Sequence, residues 1–231
     1  MVDIHFRALF PSPFGFVNFG EEARELNKII VKNIDEELVK FQPNTAPRTF
    51  TRTDCAWQSN LGMELLYDSF AKLGDAISSC IGPIITQSGF KQDYAEELIV
   101  SNMWANVILA PGGFSEPHIH GSGRTLWSGV YFPQSDHENL DDFDVNKFII
   151  GGNASAGNLV IRDPAFIPKS LIKVKGKMNN REYYGAPLTV IPRESLLILF
   201  PAWLEHYVVP ITDDKRRYSI SFGINKKEEG K

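Results

Sequence analysis

Two histidines one residue apart are the first side chains of this chain that could do chemistry: His118 and His120, in the stretch PHIHGSGRTLWSGVYF. Side chains of an extended chain alternate between two faces, so both imidazoles point to the same side, as two ligands of one metal ion would. An isolated pair of this kind is more often an inert surface feature. The pair therefore predicts a metal site only if another ligand comes from elsewhere in the chain.

A third histidine, His206, is the candidate for that ligand. It lies in FPAWLEHYVVP, after an apolar strand predicted to end at Phe200 and after a Pro-Ala-Trp turn, so it arrives from a different strand. The chain has 5 histidines, and these three fall in or beside predicted strands of its second half. Their order along the chain is that of a known type of metal site, and we predict that they converge.

An arginine and a serine on the last predicted strand form a second candidate site. In RRYSISF, Arg217 and Ser219 face the same side of the strand, whereas Arg216 faces the other. A guanidinium fork matches the two oxygens of a carboxylate, and the hydroxyl adds a donor. Taken alone, such an arginine usually reaches from a strand end into solvent. Judged together with His206, the two residues predict a carboxylate-binding site.

The elements that must position these residues fall into two halves. Three helices are predicted at residues 21–41, 60–82 and 91–98, and Gly82 suits the end of the second helix. The apolar stripe of the first consists of Leu26, Ile29, Ile30, Ile34 and Leu38. The stripe of the second consists of Leu66, Phe70, Leu73, Ile77 and Cys80. We expect these stripes to pack on the outside of a sheet.

After Asn102 the sequence changes to short apolar or alternating runs between clusters of Gly, Pro, Asn and Asp, which indicates strands. The predicted strands are residues 103–109, 125–132, 158–162, 188–191, 195–200, 206–209 and 217–225. This count predicts a mainly β jelly roll with helices on one face. We expect a single domain over residues 1–231, with a helical part at 1–100 packing on a β core at 101–225. The acidic residues 134–157 form either a lid or a solvated insertion.

Composition excludes several classes of function. The formal net charge of −4, without a long basic tract, gives no footprint for nucleic acid. The chain has only 2 cysteines, so a disulfide framework is not expected. The N-terminus lacks the features of a signal peptide, and no apolar run reaches the roughly 18 residues of a membrane span. We therefore expect a cytoplasmic protein with no membrane partner.

Several motifs in this order resemble the 2-oxoglutarate and iron(II) dependent oxygenases: HxH followed by SGVYF, then DP, then an apolar strand into FPAWLEH, then RYSISF. More narrowly, the chain is similar to an uncharacterised bacterial and phage group with WQS upstream, which Trp57, Gln58 and Ser59 match. The resemblance runs from about Phe10 to Asn225, most of the chain. It implies a double-stranded β-helix, an iron(II) cofactor and 2-oxoglutarate as cosubstrate.

Site residues follow from this resemblance. It implies that His118 and His206 bind iron, and that Arg217, assisted by Ser219, binds the far carboxylate of 2-oxoglutarate. Asn106, on the strand before the HxH pair, is a further candidate for contact with the oxoacid. Weaker candidates for the substrate pocket are Arg124, for an anionic group at the mouth of the barrel, and Trp127 and Tyr131, on the strand after the pair.

The chain departs from the wider superfamily at His120, which stands where the facial triad has a carboxylate. The interpretation we favour is that His120 is the third ligand of a three-histidine site. Alternatively, Asp163 of IRDPAF supplies a carboxylate, although an Asp before Pro commonly forms turns. Two histidines with water are a further option, and Glu116 is the weakest candidate donor.

Two other functions remain open at this stage. A three-histidine dioxygenase of the cupin type would not need 2-oxoglutarate, and Arg217 and Ser219 argue against it. A jelly roll that binds a metal or ligand without turnover would fit the missing carboxylate. The sequence does not identify the substrate, which we expect to be a small molecule or an amino acid. It also leaves the oligomeric state open, with a homodimer built on the N-terminal helices as one option.

Overall fold

Two antiparallel β-sheets form the core of the structure, a computed structural model that describes residues 12–40, 55–120, 125–135, 148–151, 154–162, 164 and 187–227. The strands are β1 (Gly15–Asn18), β2 (Ala56–Gln58), β3 (Leu98–Ile108), β4 (Ser115–His118), β5 (Trp127–Phe132), β6 (Ile149–Gly151), β7 (Leu159–Ile161), β8 (Leu188–Val190), β9 (Leu196–Pro201), β10 (His206–Val208) and β11 (Arg217–Lys226). The six-stranded sheet has the order β1-β9-β5-β11-β3-β2, and the five-stranded sheet has the order β4-β10-β7-β8-β6. The predicted mainly β jelly roll, a double-stranded β-helix with N-terminal helices, is confirmed.

Alternation along the strands gives the six-stranded sheet two different faces. On β3, Met103 and Val107 are fully buried in an apolar core shared with the helices. Ile108 instead packs with Phe132 and Leu159 in a second core between the two sheets. The first of these we call the helix-side core, and the second the inter-sheet core.

Helix α3 (Asp68–Gln87) covers the outer face of the six-stranded sheet. Its buried stripe consists of Phe70, Leu73, Ile77, Ile81 and Ile85, none more than 3% exposed. The other helices are α1 (Arg24–Lys40), after a 3-10 turn at Gly20–Ala23, α2 (Met63–Leu66) and α4 (Gln92–Glu96). No helix in the described part of the chain is long and apolar enough to cross a membrane.

The second predicted helix differs from the structure at both ends. Tyr67 is extended (φ −135°, ψ 125°) and separates α2 from α3, so that Leu66 is exposed. At the other end, α3 continues through Gly82 and Pro83 to Gln87. Glycine and proline together cost a helix about 4 kcal/mol. Burying Ile81 and Ile85 contributes about 3–6 kcal/mol, which is enough to offset that cost.

Helix α1 is attached to the sheet by a buried hydrogen-bond network. The Tyr131 hydroxyl donates to Asn27 Oδ1 at 2.6 Å, and Asn27 Nδ2 donates to Ser195 Oγ at 3.0 Å. Ile30 and Ile34 of the predicted stripe are fully buried beside this network, whereas Ile29 is 52% exposed. The inward face of α1 therefore includes a polar residue, Asn27, which the apolar pattern did not predict.

Four strands were not predicted: β1, β2, β4 and β6, each of three or four residues. β1 and β2 lie within the first hundred residues yet join the six-stranded sheet, at its two edges. The N-terminal part is therefore not purely helical. The acidic stretch 136–147 and the predicted site residues Arg124 and Asp163 lie outside the described residues.

Candidate active site

Three histidines converge at one end of the sandwich. His118 is the last residue of β4 and pairs with His206, the first residue of β10. His120 follows β4, where its backbone N–H donates to the carbonyl of Ala202 at 2.9 Å. One ligand atom from each of the three imidazoles lies within 4.8 Å of the others.

Backbone carbonyls set the orientation of two of these rings. His118 Nδ1 lies 2.7 Å from the carbonyl oxygen of Glu116, and His206 Nδ1 lies 2.9 Å from that of Leu204. A carbonyl only accepts, so each Nδ1 carries the proton and each Nε2 presents a lone pair. His120 Nε2 lies 3.1 Å from His206 Nε2. The rings are thus arranged as ligands of a common cation.

Burial keeps these imidazoles neutral. Burial, with a smaller contribution from the neighbouring His118, lowers the pKa of His206 to about 3 and that of His120 to about 4. Burial also lowers the pKa of His118. Neutral imidazole is the form that binds a metal, and three such donors fit a divalent transition metal such as iron(II). Among the described residues, this group includes no carboxylate, and Glu116 contributes only its backbone carbonyl.

Arg217, the first residue of β11, carries a buried donor that has no partner. Its Nε donates to the carbonyl of Gly157 at 2.7 Å, and its Nη1 donates to Ser219 Oγ at 3.2 Å. Its Nη2 is buried without a hydrogen bond. Burial lowers the pKa of Arg217 to about 10, so the guanidinium still carries its charge at neutral pH. An unsatisfied cationic donor of this kind fits a carboxylate ligand.

The histidines and Arg217 line the same cavity, whose volume is about 900 Å³. Between them lies Asn106 of β3, opposite Ser219 in the strand pairing, with its Nδ2 donating to Ser221 Oγ at 3.1 Å. Trp104 also lines the cavity, and its ring centroid lies 5.6 Å from that of His120. The cavity therefore joins a candidate metal site to a candidate carboxylate site.

A family model described as "Putative 2OG-Fe(II) oxygenase" matches residues 102–223, which is more than half of the chain. The chain belongs to this family of 2-oxoglutarate and iron(II) dependent oxygenases. It is therefore an oxidoreductase by family, and the cofactor and cosubstrate of the family are iron(II) and 2-oxoglutarate. No curated protein matches the sequence.

Solved structures of low sequence identity share the fold of this oxygenase. A prolyl-4-hydroxylase from Pseudomonas putida has 12% identity and a TM-score of 0.53, with 93% of this chain and 94% of that chain covered. A prolyl hydroxylase from Trichoplax adhaerens, in complex with a hypoxia inducible factor peptide fragment, has 14% identity, a TM-score of 0.54 and coverages of 93% and 84%. HygX from Streptomyces hygroscopicus, with nickel and 2-oxoglutarate bound, has 8% identity, a TM-score of 0.52 and coverages of 94% and 84%.

Two predicted pocket residues of this oxygenase lie on the opposite side of the sheet. Trp127 and Tyr131 share one face of β5, and that face belongs to the helix-side core. Trp127 makes an edge contact with Phe90, with centroids 6.1 Å apart, and Tyr131 bonds Asn27. The face of β5 that reaches the cavity carries Val130 instead. The prediction that Trp127 and Tyr131 line the pocket is therefore wrong.

The end of the cavity away from Arg217, here called the far end, is formed by residues that the sequence analysis did not assign to the pocket. They are Ser59, Asn60 and Leu61 in the loop after β2, Ser101 and Asn102 in the first half of β3, and Thr125, whereas Gln58 lines the cavity nearer its middle. Gln58 and Ser59 belong to the WQS motif, but no pattern placed that motif opposite β3. Only the pairing of β2 with β3, which sets Gln58 beside Asn106, brings it to the site.

Proposed function

We propose that this chain is a 2-oxoglutarate and iron(II) dependent dioxygenase that hydroxylates a small molecule or amino acid and releases succinate and carbon dioxide. One observation carries the proposal. Three neutral imidazoles and the unpartnered, buried Nη2 of Arg217 line a single cavity. A metal and a dicarboxylate would satisfy both groups at once.

His118, His120 and His206 would hold the iron. Their lone pairs are aimed together, and their Nδ1 hydrogen bonds fix two of the rings before any ion binds. The position of His120, with its Nε2 3.1 Å from that of His206, supports the three-histidine site over two histidines with water. Asp163 lies outside the described residues and stays an alternative.

Arg217 and Ser219 would bind the far carboxylate of 2-oxoglutarate, with Asn106 lying between them and the imidazoles. Arg217 is held in place by Gly157 and by the ring of Phe132, whose centroid lies 5.3 Å from the guanidinium carbon. Its cationic donor is therefore oriented in advance, so that binding costs little reorganisation. Ser219 is 4% exposed, which keeps water away from that carboxylate.

The chain's own contribution to the reaction is position and exclusion of water. Bound iron(II) supplies activation of dioxygen, coupled to oxidative decarboxylation of 2-oxoglutarate. Trp104 packs beside His120, and Val130 and Leu159 line the cavity, so that the reacting groups lie in a partly apolar enclosure. The fold shared with two prolyl hydroxylases supports hydroxylation as the reaction, and HygX with bound nickel and 2-oxoglutarate supports the ligand pair.

The test is an anaerobic titration of the iron(II)-loaded protein with 2-oxoglutarate, followed by the weak visible charge-transfer band of a chelated oxoacid. We expect the band in the wild type and its loss or strong weakening in Arg217→Ala. Arg216→Ala is the matched control, because Arg216 lies on the other face and contacts Asp35 at 3.2 Å. A full band in Arg217→Ala would contradict the assignment of Arg217. Bound iron with no band in the wild type would contradict the function itself and favour a cupin-type dioxygenase or a binding protein.

A further inference from the structure

The three histidines of the candidate metal site are held in different ways. Nδ1 of His118 and Nδ1 of His206 each donate to a backbone carbonyl, at 2.7 and 2.9 Å. The backbone N–H of His120 donates to the carbonyl of Ala202, but its Nδ1 makes no hydrogen bond to any residue that the structure describes. Metal-binding imidazoles are usually oriented by a hydrogen bond from the second ring nitrogen. The ring of His120 therefore needs another support.

Trp104 of β3 supports this ring from the other sheet. The centroids of the Trp104 and His120 rings lie 5.6 Å apart, and their planes are inclined at 56°. Aromatic pairs at such distances contribute about 0.5–1.5 kcal/mol beyond the area that they bury. Nε2 of His120 also lies 3.1 Å from Nε2 of His206, but a metal ion bound to both nitrogens would replace a hydrogen bond between them. The contact with Trp104 is one that metal binding would leave in place.

The backbone on either side of Trp104 is fixed by the loop after β2. The Ala105 N–H donates to Ser59 Oγ at 2.9 Å, and the Ser59 N–H donates back to the Ala105 carbonyl at 2.9 Å. On the other side, the Gly62 N–H donates to the Met103 carbonyl at 3.0 Å. Ser59, the last residue of the WQS motif, thus holds the residue that follows Trp104.

The opposite edge of β3 is paired with β11 without a gap from Met103 onward, so that Trp104 lies opposite Ser221. A β-bulge immediately precedes this stretch. Asn102 has no partner in the pairing and has a positive φ of 47°. Bulges increase the local twist of a strand and are frequent beside active sites. Trp104 is therefore placed by hydrogen bonds along both edges of its strand, which makes its ring a fixed support.

The ligand at position 120 needs such a support more than a carboxylate would. A carboxylate has two oxygens with several lone pairs and can bind a metal from more than one orientation. A neutral imidazole presents one lone pair, which lies in the plane of its ring. We propose that Trp104 is a positioning residue of the metal site, which holds the ring of His120. This inference rests on the proposed function, because it takes His120 as a ligand.

The test is titration of the anaerobic apoprotein with cobalt(II), followed by the visible spectrum of the bound ion, in a double-mutant cycle of Trp104→Leu and His120→Ala. Trp104→Leu should lower cobalt(II) affinity about tenfold when His120 is present, and less than about twofold in the His120→Ala background. The spectrum of Trp104→Leu should change toward that of His120→Ala. A residue that only stabilised the fold would lower affinity equally in both backgrounds.

Trp203→Leu is the matched control, because Trp203 is 51% exposed and follows Ala202, which bonds the backbone of His120. It should leave the affinity and the spectrum unchanged. Trp104→Phe keeps an aromatic ring and should lose less affinity than Trp104→Leu, which provides a second variant if the leucine disturbs folding. Urea denaturation of each metal-free variant measures its stability.

Unchanged cobalt(II) affinity in Trp104→Leu and Trp104→Phe would overturn the inference, as would equal losses with and without His120. Unchanged affinity in His120→Ala would overturn it too, because His120 would then not be a ligand. In each case the oxoacid band of the iron(II)-loaded wild type would still support the proposed function. A wild type that shows the coupling between Trp104 and His120 but no oxoacid band would contradict the proposed function and support this inference.

Discussion

Along β11, residues that face the helices alternate with residues that face the cavity. The two sets differ in polarity and in hydrogen bonding. Tyr218, Ile220 and Phe222 pack in the helix-side core and are at most 5% exposed. Arg217, Ser219 and Ser221 line the cavity, where one guanidinium donor has no partner. On one face of the strand the side chains are fully packed by the protein itself. On the other face the unpartnered donor of Arg217 would be satisfied only by a bound ligand. Substitutions on the two faces should therefore affect different measurements.

The largest loss of stability is expected on the helix side. Phe222 is fully buried, and its ring lies so close to Gly129 that a Cβ at Gly129 would overlap it. Phe222→Ala should lower the free energy of unfolding by about 3–5 kcal/mol, measured by urea denaturation. The control is Ser221→Ala, the preceding residue on the cavity face, which loses one hydrogen bond from Asn106 and should cost about 1 kcal/mol or less. Similar losses in both variants would contradict the division between the two faces.

The next largest effect is expected on the affinity for the metal ion. Altering a residue that only hydrogen-bonds a metal ligand lowers metal affinity by about 10- to 100-fold. Because His206 is a candidate ligand itself, His206→Ala should lower metal affinity by at least about 100-fold, or about 2.7 kcal/mol of binding free energy. The measurement is titration of the apoprotein with iron(II) or cobalt(II) under anaerobic conditions. Urea denaturation of the metal-free variant serves as the control for folding.

Substitution of His120 sharpens this prediction, because it separates the possible third ligands. If His120 binds the metal, His120→Ala should weaken affinity as His206→Ala does, and His120→Asp should retain binding, since a carboxylate also serves as a ligand. An unchanged affinity in His120→Ala would contradict the three-histidine site and favour Asp163 or water.

A smaller loss of stability, with 2-oxoglutarate binding unchanged, is expected on substitution of Tyr131. Tyr131→Phe removes the donor to Asn27 Oδ1 and leaves that buried acceptor unsatisfied, which should cost about 1–3 kcal/mol. The 2-oxoglutarate band should not change, because the ring lies on the helix side of β5. A variant of normal stability with a weakened band would instead place Tyr131 in the function of the cavity.

Tyr131 also shows what the sequence does not specify. Period-2 alternation groups Trp127 with Tyr131 on one face of β5, but every residue of this strand is buried. When both faces are apolar, alternation separates them without telling which one meets the ligand. On β11 the two faces differ in polarity, and there the pattern correctly grouped Arg217 with Ser219 on the side that faces the cavity.

Short elements and long-range pairings account for most other differences. β2 and β4 have three and four residues, too few for a periodic signal, and β4 includes Pro117. Yet β4 positions His118, and β2 brings Gln58 to Asn106. The bulge at Asn102 is likewise a property of the pairing with β11 and not of local sequence. The histidines could be selected from the sequence because their chemistry is rare, whereas the polar lining of the far end could not, because Ser and Asn are common in loops.

The smallest predicted effect is a change in the free energy of unfolding on substitution of Arg217, with opposite signs in the absence and presence of ligand. It is the most direct test that 2-oxoglutarate binds to Arg217 on the cavity face. Burial lowers the pKa of Arg217 because it disfavours the charged form, and its Nη2 gains no hydrogen bond in return. Replacing this side chain with an apolar one of similar length, Arg217→Met, should therefore stabilise the metal-free protein by about 1 kcal/mol in urea denaturation.

With metal and saturating 2-oxoglutarate, the order of stability should reverse, because only the wild type binds the cosubstrate tightly. At a ligand concentration of 100 times Kd, binding adds about 2.7 kcal/mol to the stability of the wild type, which exceeds the gain of the variant. A variant that is less stable than the wild type even without ligand would mean that the hydrogen bond from Arg217 Nε to the Gly157 carbonyl outweighs the burial of the charge. Arg217 would then belong to the fold as much as to the site, and the two faces of β11 would be less distinct than their contacts indicate.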